Sequence, residues 1–206
     1  MKLVIAGAGG HGRVVADAAV ASGVYTDVQF LDDRHPNVVL QEGWRVTGVL
    51  DDLARLPTAN TAFVPAFGDA SLRLRILAGA VQLGFECPAV IHPAATVSRF
   101  AEIGRGSVVF AGAVVNVGAR VGDGCILNTG ATIDHDCTLA DGVHVCPGAH
   151  LAGNVSLGRR TWFGIGAVAK QAITIGDDVI VGAGAVVLED VSNGSTVLGN
   201  PARKKS

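Results

Sequence analysis

A chain of 206 residues, 49% apolar and 17% charged, has material for one large buried core or two small ones. Its formal net charge of -2, with no basic block before Arg203, Lys204 and Lys205, excludes the electrostatic footprint of a nucleic-acid or anionic-membrane binder. The four cysteines (Cys87, Cys125, Cys137 and Cys146) lack CxxC spacing and are too sparse for a disulfide scaffold, so a reducing compartment suits them and no metal cage is implied.

The chain opens on a short apolar run, Lys2 to Ala6, that is too short to cross a membrane and has no small-residue cleavage site after it; a cytoplasmic protein is expected. The run predicts a strand. It leads into Gly7-Ala8-Gly9-Gly10-His11-Gly12 and a helical pattern through Val14, Val15, Ala18 and Ala19 that ends by Gly23. A second strand, Val28 to Leu31, stops at Asp32 and Asp33, and a third, Ala62 to Phe67, runs into Gly68 and a helix from Asp69 to about Leu83. This βαβ order predicts a small parallel sheet with helices packed on it, a Rossmann-like α/β domain over residues 1–88. Gly7, Gly9 and Gly12 match GxGxxG between a strand and a helix, where backbone N–H groups at a helix start can hold phosphate, and Asp32 falls where a carboxylate could meet a ribose or a base. Only half of a doubly wound sheet is present, which argues against a redox domain. A glycine turn that merely packs helix on strand would leave the same trace.

From Ile91 a large apolar residue recurs every sixth position: Val97, Ile103, Val109, Val115, Val121, Leu127, Ile133, Leu139, Val145, Leu151, Leu157, Phe163, then Ile175, Val181 and Val187, with Ala169 the weak member. Four residues after most of these sits a small or β-branched residue, such as Ala113, Cys125, Ala131 or Cys137, so those cysteines read as core. A period of six fits short strands whose inward positions recur once per side of a three-sided prism. Residues 89–206 are therefore expected to form an all-β parallel β-helix of eighteen-residue coils, in which Gly153 stacks on His135 and Trp162 on His144. Glycines after the large residues (Gly104, Gly122, Gly158, Gly164, Gly176 and Gly182) are expected to supply positive φ at the corners. Phe110, Val114, Val117 and Val168 face outward in this register and predict an apolar surface through which prisms associate.

The glycine turn, Leu31-Asp32-Asp33, the run Asn128 to Cys137 containing Ile133-Asp134-His135-Asp136, His144 and the ending Gly199-Asn200-Pro201-Ala202-Arg203 together resemble the sugar O- and N-acetyltransferases of the NeuD/PglD type, over essentially the whole chain. The resemblance implies a left-handed β-helix, a homotrimer and acetyl-CoA lying between adjacent prisms. It implies His135 as general base, with Asp136 standing where a Glu is common. It further implies acetyl-CoA contacts from His144, Gly153, Ile165 and Ala183, the last in place of a frequent Gly, and sugar-nucleotide contacts from Gly10, His11, Gly12, Asp32, Asp33 and Gly68.

An amine attacking a thioester must lose a proton, and histidine is the base that needs least tuning at neutral pH. A carboxylate beside it raises its pKa and orients the ring. Cys146 near His144 is a weaker candidate, as a nucleophile, since no base accompanies it. The expected reaction is N-acetylation of a nucleotide-linked amino sugar, with a UDP-4-amino-4,6-dideoxy sugar preferred over GDP-perosamine, and O-acetylation of a sialic acid also open. A zinc-dependent lyase using His135, His144 and His150, as in γ-type carbonic anhydrases, and a non-catalytic nucleotide-binding scaffold are the rival classes.

Overall fold

A computed structural model describes residues 1–40 and 42–205. The chain begins with β1 (Lys2–Ala6), α1 (Gly10–Ala21), β2 (Asp27–Leu31), β3 (Arg45–Gly48), a 3₁₀ turn over Leu50–Arg55, β4 (Thr61–Pro65) and α2 (Ala70–Gln82). The four strands are parallel in the order β3-β2-β1-β4. Strand alternation divides the apolar residues between two layers. Leu3, Ile5, Phe30 and Val64 pack against α1 residues such as Val15 and Ala19. Val4, Ala6 and Phe63 pack against Leu77 and Ala80 of α2. Asp69 caps α2, its carboxylate accepting from the Leu72 N–H at 2.6 Å. β3 and the 3₁₀ turn escape the sequence pattern because β3 is a four-residue edge strand with partly exposed side chains, which leaves no apolar run to read.

From Val90 the chain winds into a left-handed parallel β-helix of two-residue strands. The first face stacks Val90–Ile91, Val108–Val109, Ile126–Leu127, His144–Val145, Trp162–Phe163, Ile180–Val181 and Thr196–Leu198. The second stacks Thr96–Val97 through Val186–Val187, and the third Glu102–Ile103 through Thr174–Ile175. Register is eighteen residues throughout these coils, as in Leu127↔Val145 and Val145↔Phe163, and slips to sixteen at Ile180↔Thr196, where the rhythm ends. Arg203–Lys204 then pairs antiparallel with Thr196–Leu198 and covers that sheet edge. Inside, the hexapeptide residues and the small residues, Cys125 and Cys137 included, form one continuous core.

Two expectations are corrected. Gly104, Gly122, Gly158, Gly164, Gly176 and Gly182 do not carry positive φ; Gly106, Gly112, Gly118, Gly124, Gly130, Gly142 and others do, two residues further on or at the alternate corners. The first set is glycine because coils approach there: a Cβ on Gly104 would lie 2.6 Å from Asp123 N, and one on Gly122 2.8 Å from Asp141 N. Phe110 is not an outward interface residue either. Val90, Val108, Phe110 and Ile126 share a core with α1 and the sheet, because the α/β unit sits on the upper part of the first face.

Candidate active site

The glycine turn and the end of β2 form one wall of a cleft of about 370 Å³ lined by Gly7, Gly9, Gly10, His11, Asp32, Asp33, Arg34, Phe67 and Gly68. Gly7 adopts φ +101, and its N–H donates to Leu31 O at 2.8 Å. That geometry lets the Ala8 N–H donate to Asp32 Oδ2 at 2.7 Å. Asp32 Oδ1 accepts from Arg34 N and Nε (3.0 and 2.8 Å), and Oδ2 accepts also from Arg34 Nη2 at 2.8 Å. These side-chain bonds from Arg34 first, with Ala8 N–H adding, hold the Asp32 carboxyl well below its ordinary range. Asp32 therefore shapes the turn and anchors Arg34, whose guanidinium is the cation at the cleft. Asp33 Oδ1 accepts from Leu50 N–H at 2.9 Å. Gly12 is not among the lining residues. A Cβ there would overlap the Gly7 carbonyl, so its role is close helix–strand packing.

His11 lies edge-on to Phe110, with ring centroids 5.7 Å apart. Burial first, then the charge of Arg73, lowers its pKa to about 4, so the ring is neutral. Its Nε2 is buried without a hydrogen-bond partner among the described residues. His144, on the first face and 8% exposed, is also neutral: burial first, with Arg73 and His11 adding, brings its pKa to about 3. Asn128 Nδ2 stands 3.1 Å from His144 Nε2, and Asn128 Oδ1 accepts from Thr129 N–H at 2.9 Å, which fixes the amide as donor to the ring. The ring proton is thereby assigned to Nδ1, which is buried and unpartnered among the described residues. The Trp162 ring packs edge-on at 4.3 Å, as eighteen-residue stacking predicts. His144, Trp162, Gly142, Gly68, Ser71 and Arg160 line a second cleft of about 410 Å³.

His135 occupies a corner between the second and third faces. Asp134 Oδ1 accepts from the His135 N–H at 2.8 Å and from Asn116 Nδ2 at 2.9 Å, and Asp136 adopts φ 60. That left-handed residue turns its carboxylate back, so His135 Nδ1–H donates to Asp136 Oδ2 at 2.9 Å and Nε2 becomes the free basic nitrogen. The Asp136 hydrogen bond first, then the Asp134 charge, raises the His135 pKa. The pair is exposed, at 56% and 66% of the two side chains. Two glycines cradle it. A Cβ on Gly153 would lie 2.5 Å from the His135 Cε1, and one on Gly118 2.5 Å from Asp136 Oδ1.

Ile165 and Ala183 are stacked and exposed on the corner between the first and second faces, with Gly184 N–H donating to Ile165 O at 2.8 Å. Within one chain the suggested site residues thus fall into three places: the turn cleft, the first face with its neighbouring corner, and the His135 corner on the opposite side of the prism. His150, with Nδ1 2.9 Å from Thr132 Oγ1, is on the second face, so His135, His144 and His150 do not converge within one chain. Among the described residues no group of three His, Cys, Asp or Glu could hold a metal ion. The Cys146 thiol is buried, and burial pushes its pKa up to about 12, which removes it as a nucleophile. Arg34, Asn128 and Gly118 were not singled out from sequence. Their signals are an arginine two positions after a strand-end aspartate, an asparagine two positions past Ile126, which stacks on His144, and a glycine eighteen residues before Asp136.

The three-sided β-helix, the histidine–carboxylate pair on one corner and the glycine-turn domain seated on one face are the arrangement expected of the hexapeptide-repeat acyltransferases. The PglD N-terminal domain model matches residues 2–79. The acetyltransferase domain of PglB from Neisseria gonorrhoeae FA1090, solved in complex with acetyl coenzyme A, is 47% identical, with TM-score 0.96 over 99% of this chain and 98% of that one. PerB from Caulobacter crescentus, solved with CoA and GDP-perosamine, is 38% identical, with TM-score 0.93 over 100% and 98%. WeeI from Acinetobacter baumannii AYE is 28% identical, with TM-score 0.90 over the full length of both. The chain belongs to the NeuD/PglD-type sugar O-/N-acetyltransferase family, and it is an acetyltransferase. No helix among the described residues is long and apolar enough to cross a membrane.

Proposed function

We propose that the chain transfers the acetyl group of acetyl-CoA to the amino group of a nucleotide-linked 4-amino-4,6-dideoxy sugar, with His135 as general base. The observation that carries this reading is the His135–Asp136 pair: its Nδ1–H is committed to the carboxylate, and its Nε2 is held over the bare backbone of Gly153. The amine nitrogen attacks the thioester carbonyl carbon, Nε2 takes the proton the amine must lose, and the C–S bond breaks to release CoA. No covalent acyl-enzyme is needed, and no buried cysteine is asked to form one. His144, which lines the second cleft, contacts the thioester end of acetyl-CoA there. The nucleotide lies in the glycine-turn cleft, its phosphates toward Gly9, Gly10 and His11 and its other end toward Asp33 and Arg34.

Because His135 and His144 lie on opposite sides of one prism, the working site pairs the His135 corner of one copy with the first face of another, in a homotrimer acting in the cytoplasm. Gly153, Ile165 and Ala183 then line the acetyl-CoA groove. A UDP-linked sugar is the first choice. The PerB match at 38% identity favours a GDP-linked sugar as the second. Steady-state assays with UDP-, GDP- and CMP-linked amino sugars plus acetyl-CoA, followed by product mass, test the substrate; a panel left wholly unmodified would overturn it. His135→Ala is expected to lower kcat by about 10²- to 10⁴-fold, the range of general-base contributions, while acetyl-CoA binding and assembly persist. Unchanged turnover would remove His135 from the role.

A further inference from the structure

Arg73, on α2, is 1% exposed and heads the largest fully buried side chains. Among the described residues its guanidinium makes no ion pair. It donates instead to four backbone carbonyls: from Nε to Gly124 O at 2.7 Å, from Nη1 to Phe67 O at 2.7 Å and Gly68 O at 3.0 Å, and from Nη2 to Gly142 O at 2.8 Å. Gly124 and Gly142 are equivalent corners of successive coils. Phe67 and Gly68 form the β4–α2 connection.

Anchoring α2 does not require a buried cation. Leu77 and Leu74 already sit on three stacked glycine corners, where a Cβ on Gly106 would lie 2.7 Å from Leu77 Cδ1, and one on Gly124 or Gly142 would lie 3.0 or 2.9 Å from Leu74. Leucine packing of this kind gives adhesion without the desolvation a guanidinium suffers. What the planar fork adds is direction: it fixes three pieces of backbone at once. Two of those pieces line the clefts. Phe67 and Gly68 line the glycine-turn cleft, and Gly68 and Gly142 line the one containing His144.

We propose that Arg73 is a positioning residue that sets the distance between the nucleotide-sugar cleft and the acyl-transfer site, by tying the Phe67–Gly68 connection to the Gly124 and Gly142 corners. The proposal rests on the assignment of those clefts given above. Its charge adds to burial in keeping His11 and His144 neutral, so the same side chain conditions a ring on each side of the junction.

The test uses the full chain with Arg73→Met and Arg73→Lys, each corrected for folded fraction by thermal melting. The expected result is a fall of about 10- to 100-fold in kcat/KM for the nucleotide amino sugar in Arg73→Met, the scale of a misplacement near 1 Å, with KM for acetyl-CoA within about 3-fold of wild type. Arg73→Lys keeps the charge but not the fork, and is expected to recover only part of the loss. Should Arg73→Met fail to fold, the Lys variant carries the decision. A lower melting temperature with wild-type constants per folded enzyme, or a KM for acetyl-CoA raised as much as the KM for the nucleotide amino sugar, would overturn the positioning role. A wild-type protein inert toward every nucleotide amino sugar would overturn the cleft assignment instead, and the proposal with it.

Discussion

Gly153→Ala isolates the geometry of the proposed base. The new methyl carbon would sit 2.5 Å from His135 Cε1 and 3.1 Å from Cδ2, whereas carbon atoms rest at about 3.5 Å or more, so the ring must retreat by about 1 Å. The ring is the far end of a half-exposed side chain and Gly153 lies outside the positive-φ set, so the ring swings away and the fold is little strained. Stability should therefore change by less than about 1 kcal/mol. Displacement of a catalytic group by about 1 Å lowers turnover by about 10²-fold, equivalent to about 2.7 kcal/mol in the barrier. The assay is steady-state acetyl transfer, run as a cycle with His135→Ala, with acetyl-CoA affinity measured in parallel. If Gly153 acts by seating the ring, the alanine substitution has no further effect on kcat once His135 is gone. Turnover within 2-fold of wild type, or the same loss in both backgrounds, would refute the reasoning, the second by assigning Gly153 to the acyl donor alone.

Asp136→Asn removes the largest contribution raising the His135 pKa, so the ascending limb of the pH–kcat profile, which follows deprotonation of the base, is expected to move to lower pH; an unmoved limb would assign the titration to another group. His11 and His144 have folded pKa values of about 4 and about 3, below the ordinary 6.5, so the unfolded chain takes up protons the folded one refuses. Their contribution to stability is complete above about pH 6.5 and is lost as pH falls toward 4. The slope is about 1.4 kcal/mol per pH unit for each ring, and urea unfolding at pH 7.0, 6.0 and 5.0 should show it, flattened by roughly half in His144→Gln. A midpoint constant across that range would mean that the two rings titrate in the folded protein as they do in the unfolded chain.

Much of this molecule was legible along the chain because its dominant contacts are periodic. The six-residue rhythm from Ile91 to Val187 prescribes which side chains point inward, and coils of eighteen residues follow from it, so the stacking of Gly153 under His135 and of Trp162 on His144 could be stated without coordinates. The glycine turn and β1, β2 and β4 were likewise readable, since apolar runs bounded by glycine and aspartate have few alternatives. Backbone conformation at the corners was less so. The sequence shows two sets of glycines with the same spacing, and only the structure separates those that need positive φ, such as Gly118, from those that need the absence of a Cβ, such as Gly104.

What the residues in order dictate is local and repetitive: the prism, the inward residues, the glycine turn and the adjacency of His135 to Asp136. What only the tertiary structure decided is where the α/β unit docks and what that docking does. It covers Phe110 and buries Arg73 among four carbonyls from three separate stretches of chain. Contacts of that kind join residues up to 69 positions apart and follow no period, so neighbours along the chain carry no trace of them. Hydrogen-bond direction and desolvation, on which the neutrality of His11 and His144 depends, exist only once those distant pieces meet.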